Sequence, residues 1–97
     1  MKDDITVGDE VEIINYYQTY TNYPEWVYEN VEGVSKCRYA IDKIPKNGTK
    51  GIVIATGLHK GWNDKLYYIQ TYEECEGIIY EGCCYLIGFL GVKKVRD

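Results

Sequence analysis

Thr49-Lys50-Gly51-Ile52-Val53-Ile54-Ala55-Thr56-Gly57-Leu58 and Lys65-Leu66-Tyr67-Tyr68-Ile69-Gln70-Thr71-Tyr72, separated by a short polar connector, are the stretch that decides the fold. Both runs are rich in β-branched and aromatic residues, and the connector carries Gly, Asn and Asp. That composition predicts a β-hairpin.

Downstream, Glu73-Glu74-Cys75-Glu76-Gly77 reads as an acidic turn and Ile78-Ile79-Tyr80 as a short strand. Glu81-Gly82 reads as a second tight turn before a last strand, Cys83 to Leu90, which Gly91 closes. The basic residues 92–97 have no pattern of their own and are expected to fray. Upstream, Ile5 to Ile14 alternates apolar and polar positions around a Gly8-Asp9 turn or bulge, as expected of a strand wet on one face.

Residues 15–48 form a long, irregular connection. Asn22-Tyr23-Pro24-Glu25-Trp26 reads as a turn, because the residue before proline is pushed away from helical geometry. Trp26, Val27, Asn30, Val31 and Val34 suit either a short one-sided helix or extended chain. Cys37, Ala40, Ile41 and Ile44 repeat near helical spacing, enough for one or two turns before Pro45-Lys46-Asn47-Gly48. The whole reads as an all-β domain of five short strands, most economically a small antiparallel barrel, since closure hides strand edges.

A chain of 97 residues fits one domain and buries enough surface for a modest core without metal or disulfide staples. Its 45% apolar content excludes a disordered chain. It contains no apolar run of about 18 residues, and Met1-Lys2-Asp3-Asp4 leads into an alternating segment and not a signal-peptide core. A soluble protein of the cytoplasm is expected, with Cys37, Cys75, Cys83 and Cys84 as reduced thiols.

The order of features resembles that of SH3-like barrels, including the KOW type and the small barrels of phage and mobile-element accessory proteins. Val7-Gly8-Asp9-Glu10-Val11-Glu12-Ile13 and Asn47-Gly48-Thr49-Lys50-Gly51-Ile52-Val53 carry the resemblance. It implies that the first stretch is the opening strand and that the second enters the next strand after a long loop. The loop is much longer than the KOW type needs. The fold itself hosts many unrelated functions.

No catalytic constellation stands out. His59 is the only histidine and Ser35 the only serine, and no local signature pairs His59 with one of the cysteines as nucleophile. Cys83 and Cys84 are adjacent, so in a strand they point to opposite faces and do not converge on one zinc ion. Gly48-Thr49-Lys50-Gly51 lacks P-loop spacing and precedes a strand, so it reads as a turn without an anion-holding helix terminus. A non-enzymatic protein with neither metal nor cofactor is expected.

Charge is laid out in blocks. Residues 1–34 hold eight acids and one lysine, residues 35–65 seven bases and two acids, and residues 66–92 four acids and no base. The basic block offers Lys36, Arg38, Lys43, Lys46, Lys50, Lys60 and Lys65, with Trp62, Tyr39, Tyr67 and Tyr68, as phosphate contacts and stacking platforms for nucleic acid. The net charge of −4 opposes that use unless the charges segregate. Eleven tyrosines against one phenylalanine are the other compositional feature. Tyr16, Tyr17, Tyr20, Tyr23, Trp26 and Tyr28, rimmed by Glu25, Glu29 and Glu32, read either as rings packed under the barrel or as an acidic adhesive surface, since Tyr and Trp are over-represented among the residues that dominate protein interfaces.

The leading expectation is therefore a protein-binding module, in concrete form a phage or mobile-element inhibitor of a host defence or nucleic-acid-handling enzyme, docking through that loop. The alternatives are a KOW-like nucleic-acid binder using the basic block, and a homo-oligomer that stacks tyrosines on a small nucleotide.

Overall fold

The computed structural model describes residues 5–20, 23–31, 44–59 and 64–95. Six strands form one antiparallel sheet: β1 (Glu10–Ile13), β2 (Thr19–Tyr20), β3 (Lys50–Leu58), β4 (Lys65–Cys75), β5 (Ile78–Gly88) and β6 (Val92–Lys94). One short helix, α1 (Glu25–Asn30), and two 3-10 turns, Tyr16–Gln18 and Phe89–Gly91, complete the described elements. The central hairpin is β3 and β4, in the register Val53↔Ile69 and Thr56↔Tyr67.

The sheet order is β2-β5-β4-β3-β1-β6. Four strand spacings therefore separate β5 from β6, about 19 Å in a flat sheet. Only the 3-10 turn Phe89–Gly91 links them, and three such residues rise about 6 Å. The sheet must curl until its far sides approach, and it forms a half-barrel.

Both faces of the sheet's centre are buried. Along β4, Tyr67 and Ile69 join Ile5, Val11, Ile13, Val53, Ile87 and Val92 in one cluster. Their neighbours Leu66 and Tyr68 join Ala55, Cys84, Leu86 and Val27 in the other. Period-two alternation sends successive side chains to opposite faces, so a strand covered on both sides reads as a continuous apolar run. Val53 and Ala55 would share a face in a regular strand. A register shift between them leaves Ile54 without a cross-strand partner and lets each fill a different cluster.

Helix α1 has six residues and no side-chain cap, too short to be stable alone. Glu25 in its first turn suits the helix dipole. What holds it is Val27, fully buried on the second face.

Three sequence expectations need correction. The Ile78-Ile79-Tyr80 and Cys83 to Leu90 runs are one strand, β5, and Glu81-Gly82 is no turn. Gly82 and Cys83 together oppose Thr71 in a bulge between the pairs Gln70↔Cys84 and Tyr72↔Glu81. Thr71 Oγ1 donates to the Cys83 carbonyl and Gln70 Nε2 donates to the Gly82 carbonyl at 2.7 Å, so side chains satisfy the acceptors there. The tail is not frayed over 92–94: β6 pairs with β1 in a register that sets Ile13 opposite Val92, and Val92 enters the core. The third correction is the count, six strands among the described residues against five expected, the extra ones being β2 and β6, while the two expected downstream strands merge into β5. The helical turns expected over 34–44 lie almost wholly outside the described residues.

Candidate functional site

The tyrosine-rich loop divides into a packed part and an exposed part. Tyr20, Tyr23 and Trp26 pack against the second cluster, with the Tyr23 ring edge-on to Tyr68 at 5.5 Å between centroids. Tyr20 sits in β2 with its ring 5.2 Å from that of His59. Trp26 Nε1 donates to the Leu58 carbonyl at 3.2 Å. These three rings pack on the sheet and each is half-buried. Tyr28, Glu25 and Glu29 are exposed on α1, Tyr28 within 6.0 Å of the Tyr23 ring. Glu32 lies outside the described residues.

The exposed part is built on the Tyr16–Gln18 turn. Asn15 caps it, its Oδ1 accepting from the Tyr17 amide at 3.0 Å, and Asn47 Oδ1 accepts from the Tyr16 amide at 2.9 Å across the mouth of the loop. The tyrosine rings lie 4.4 Å apart, and the Tyr17 hydroxyl beside it raises the pKa of the Tyr16 phenol. The amides of Ile14 and Asn15 both donate to the Gly91 carbonyl, which lays this turn beside Phe89–Gly91. Gly91 has no room for a side chain there, since a Cβ would meet Gln18 Cβ at 2.7 Å and the Asn15 carbonyl at 2.9 Å.

Two neighbouring turns and the residue that precedes the first of them thus carry exposed large apolar side chains: Tyr17 at 79% exposure, Leu90 at 60%, Ile14 at 44% and Phe89 at 43%, with Tyr16 half-buried beside Tyr17. Tyr16 and Tyr17 were expected at the site. Ile14, Phe89 and Leu90 were not, because each ends an apolar strand run and reads as core. The one signal was Gly88 and Gly91 bracketing the Phe-Leu pair, which marks a break in the strand.

Of the basic residues, Lys36, Arg38, Lys43, Lys60 and Trp62 lie outside the described residues. Lys65 is engaged, its Nζ donating to the Ile5 carbonyl at 3.2 Å and lying 5.6 Å from the Tyr67 ring centroid. Lys46 and Lys50 are exposed, but they line a groove of about 890 Å³ together with Glu10, Glu73 and Glu74. Tyr85 lines the same groove, and burial together with the Cys83 thiol raises its phenol pKa.

The Cys84 thiol is buried and donates to Gln70 Oε1 at 3.1 Å, while Cys75 is exposed at the end of β4. Among the described residues, no group of three or more His, Cys, Asp or Glu side chains is placed to hold a metal ion. No described helix is long and apolar enough to cross a membrane. Comparison with family models, with curated proteins and with solved structures finds no match to this chain.

Proposed function

We propose that this chain is a non-enzymatic protein-binding module of SH3-like type, and that its contact surface is the patch of Ile14, Tyr17, Phe89 and Leu90. The observation that carries the reading is the meeting of two 3-10 turns from distant parts of the chain, with four exposed large apolar side chains on or next to them. A folded chain gains nothing in stability from such a cluster, and contiguous exposed apolar residues mark interaction sites. Aromatic anchors set on a rigid base also bind at low entropic cost. The SH3-like assignment draws support from connectivity: the last strand follows a 3-10 turn and pairs with the first, and the long loop follows the first strand. The alternative of nucleic-acid binding is the weaker one, because Lys46 and Lys50 share their groove with three glutamates and Lys65 is tied to the chain's own backbone.

The test is capture of partners from host lysate on the immobilised chain, followed by titration of the purified partner against variants. Tyr17→Ser and Leu90→Ser, which alter exposed side chains, are expected to weaken binding at least tenfold, with Tyr28→Ser on α1 near parental. Equal binding by all three overturns the surface assignment. Strong, salt-sensitive retardation of DNA or RNA in a gel-shift assay overturns the reading in favour of nucleic acid.

A further inference from the structure

The β4–β5 hairpin extends beyond the core. Residues 73–82 are all exposed, including Ile78, Ile79 at 63% and Tyr80. The pairs Glu73↔Tyr80 and Cys75↔Ile78 share one face, and Tyr72↔Glu81 and Glu74↔Ile79 share the other. Both faces thus mix apolar side chains with carboxylates. Among the described residues none of Glu73, Glu74, Glu76 and Glu81 forms an ion pair, although Glu73 and Glu74 line the groove that Lys46 and Lys50 also line, and residues 66–92 contain no Lys or Arg.

Among the described residues the outer edge of β5 is open as well. β4 covers one side over Ile78–Gly88, and on the other side the only described partner is β2, which reaches Leu86 and Ile87. Among the described residues the outward backbone groups from Ile78 to about Tyr85 therefore have no strand to pair with. Such an edge recruits an extended chain, which gains main-chain hydrogen bonds and seats alternate side chains. The glutamates select among occupants. A second copy of the hairpin would bring four carboxylates against four, and a polyanion would be repelled. On a strand bearing lysine or arginine, Glu81 on β5 would neighbour the cations directly, while Glu73 and Glu74, one strand further on β4, and Glu76 in the turn would attract them at longer range.

We propose that the outer edge of β5, from Ile78 to Tyr85, accepts an extended basic segment of a partner protein by strand addition, with Ile79 and Tyr80 packing on its apolar residues and the glutamates on its cations. This surface is separate from the Tyr17–Leu90 patch and does not depend on it.

The probes are three synthetic peptides of alternating Lys and Val: the parent, a version with Glu for every Lys, and the parent N-methylated at every residue so that neither edge can donate a hydrogen bond. Binding to the full chain is followed by amide NMR. The lysine peptide is expected to shift amides over 78–85 and leave those of Ile69 and Val53 in place. The Glu peptide should bind at least tenfold more weakly, and so should the N-methylated peptide. A Glu73→Gln/Glu74→Gln/Glu81→Gln variant, which keeps the side-chain shape, should lose the lysine preference. Three results overturn the proposal: equal affinity for the N-methylated peptide and the parent, which means charge attraction without strand pairing; shifts centred elsewhere; or a concentration-dependent dimer that the Gln variant strengthens, which makes a second copy the occupant.

Discussion

The indole of Trp26 fills the space that a side chain on Gly57 would need, and its Nε1 donates to the carbonyl of the following residue, Leu58. A tryptophan from the long loop is thereby keyed to the far end of β3. The Gly57→Ala methyl must push the ring away, and overpacking of this kind costs about 1 to 3 kcal/mol. The expected outcome is a lower urea midpoint at an unchanged slope. A Gly57→Ala chain as stable as the parent would mean that Trp26 does not sit on β3.

The bulge opposite Thr71 makes a coupled prediction. Thr71→Ala removes the hydroxyl that satisfies the Cys83 carbonyl and is expected to cost about 1 to 2 kcal/mol. Gly82→Ala would place a methyl 2.6 Å from Thr71 Oγ1. Because Thr71→Ala removes that atom, Gly82→Ala should cost less in the Thr71→Ala background, with a coupling of about 1 kcal/mol in a double-mutant cycle. Additive costs would show that the two residues do not meet.

The central hairpin was legible because Ile52, Val53, Tyr67, Tyr68 and Ile69 combine β propensity with burial on both faces, so local preference and packing agree. The division of the aromatic loop was not. Tyr17 and Tyr20 are the same residue type three positions apart. One is exposed and the other packed only because β2 pairs with a strand more than sixty residues later. The bulge hid for a similar reason. Glu81-Gly82 has turn chemistry, and what keeps the strand running is a pair of side chains, Gln70 and Thr71, on the neighbouring strand. β6 was unreadable because three residues of Val-Lys-Lys carry no period, and the open edge of β1 supplies their order.

Asp9 gives the fold a pH dependence with a definite sign. Its carboxylate accepts from the Thr6 amide at 2.9 Å and lies 3.5 Å from Lys94 Nζ, linking the turn before β1 to β6. The Thr6 backbone hydrogen bond, with a smaller contribution from Lys94, holds its pKa below the ordinary carboxylate value. A depressed pKa contributes stability that is fully present above the unfolded value, near 3.8, and is lost as pH falls through the folded one. The melting temperature should therefore fall more steeply below pH 4 for the parent than for Asp9→Asn. Identical acid limbs would remove Asp9 from the linkage.

The tip of the β4–β5 hairpin sets stability against charge. Glu76 has φ of 54° and Gly77 has φ of 83°, the left-handed pair that a two-residue type I′ turn requires. Glycine adopts that region freely and asparagine tolerates it, whereas an ordinary side chain costs about 1 kcal/mol. Glu76→Asn should therefore stabilise the chain by about 0.5 kcal/mol, read as a higher urea midpoint. The same change removes one of the hairpin's four carboxylates and so weakens its long-range attraction for a lysine-bearing strand; affinity for the basic peptide should fall as stability rises. If both rise together, the charge at the tip plays no part in binding; if stability does not rise, the turn relaxes around Glu76 in solution.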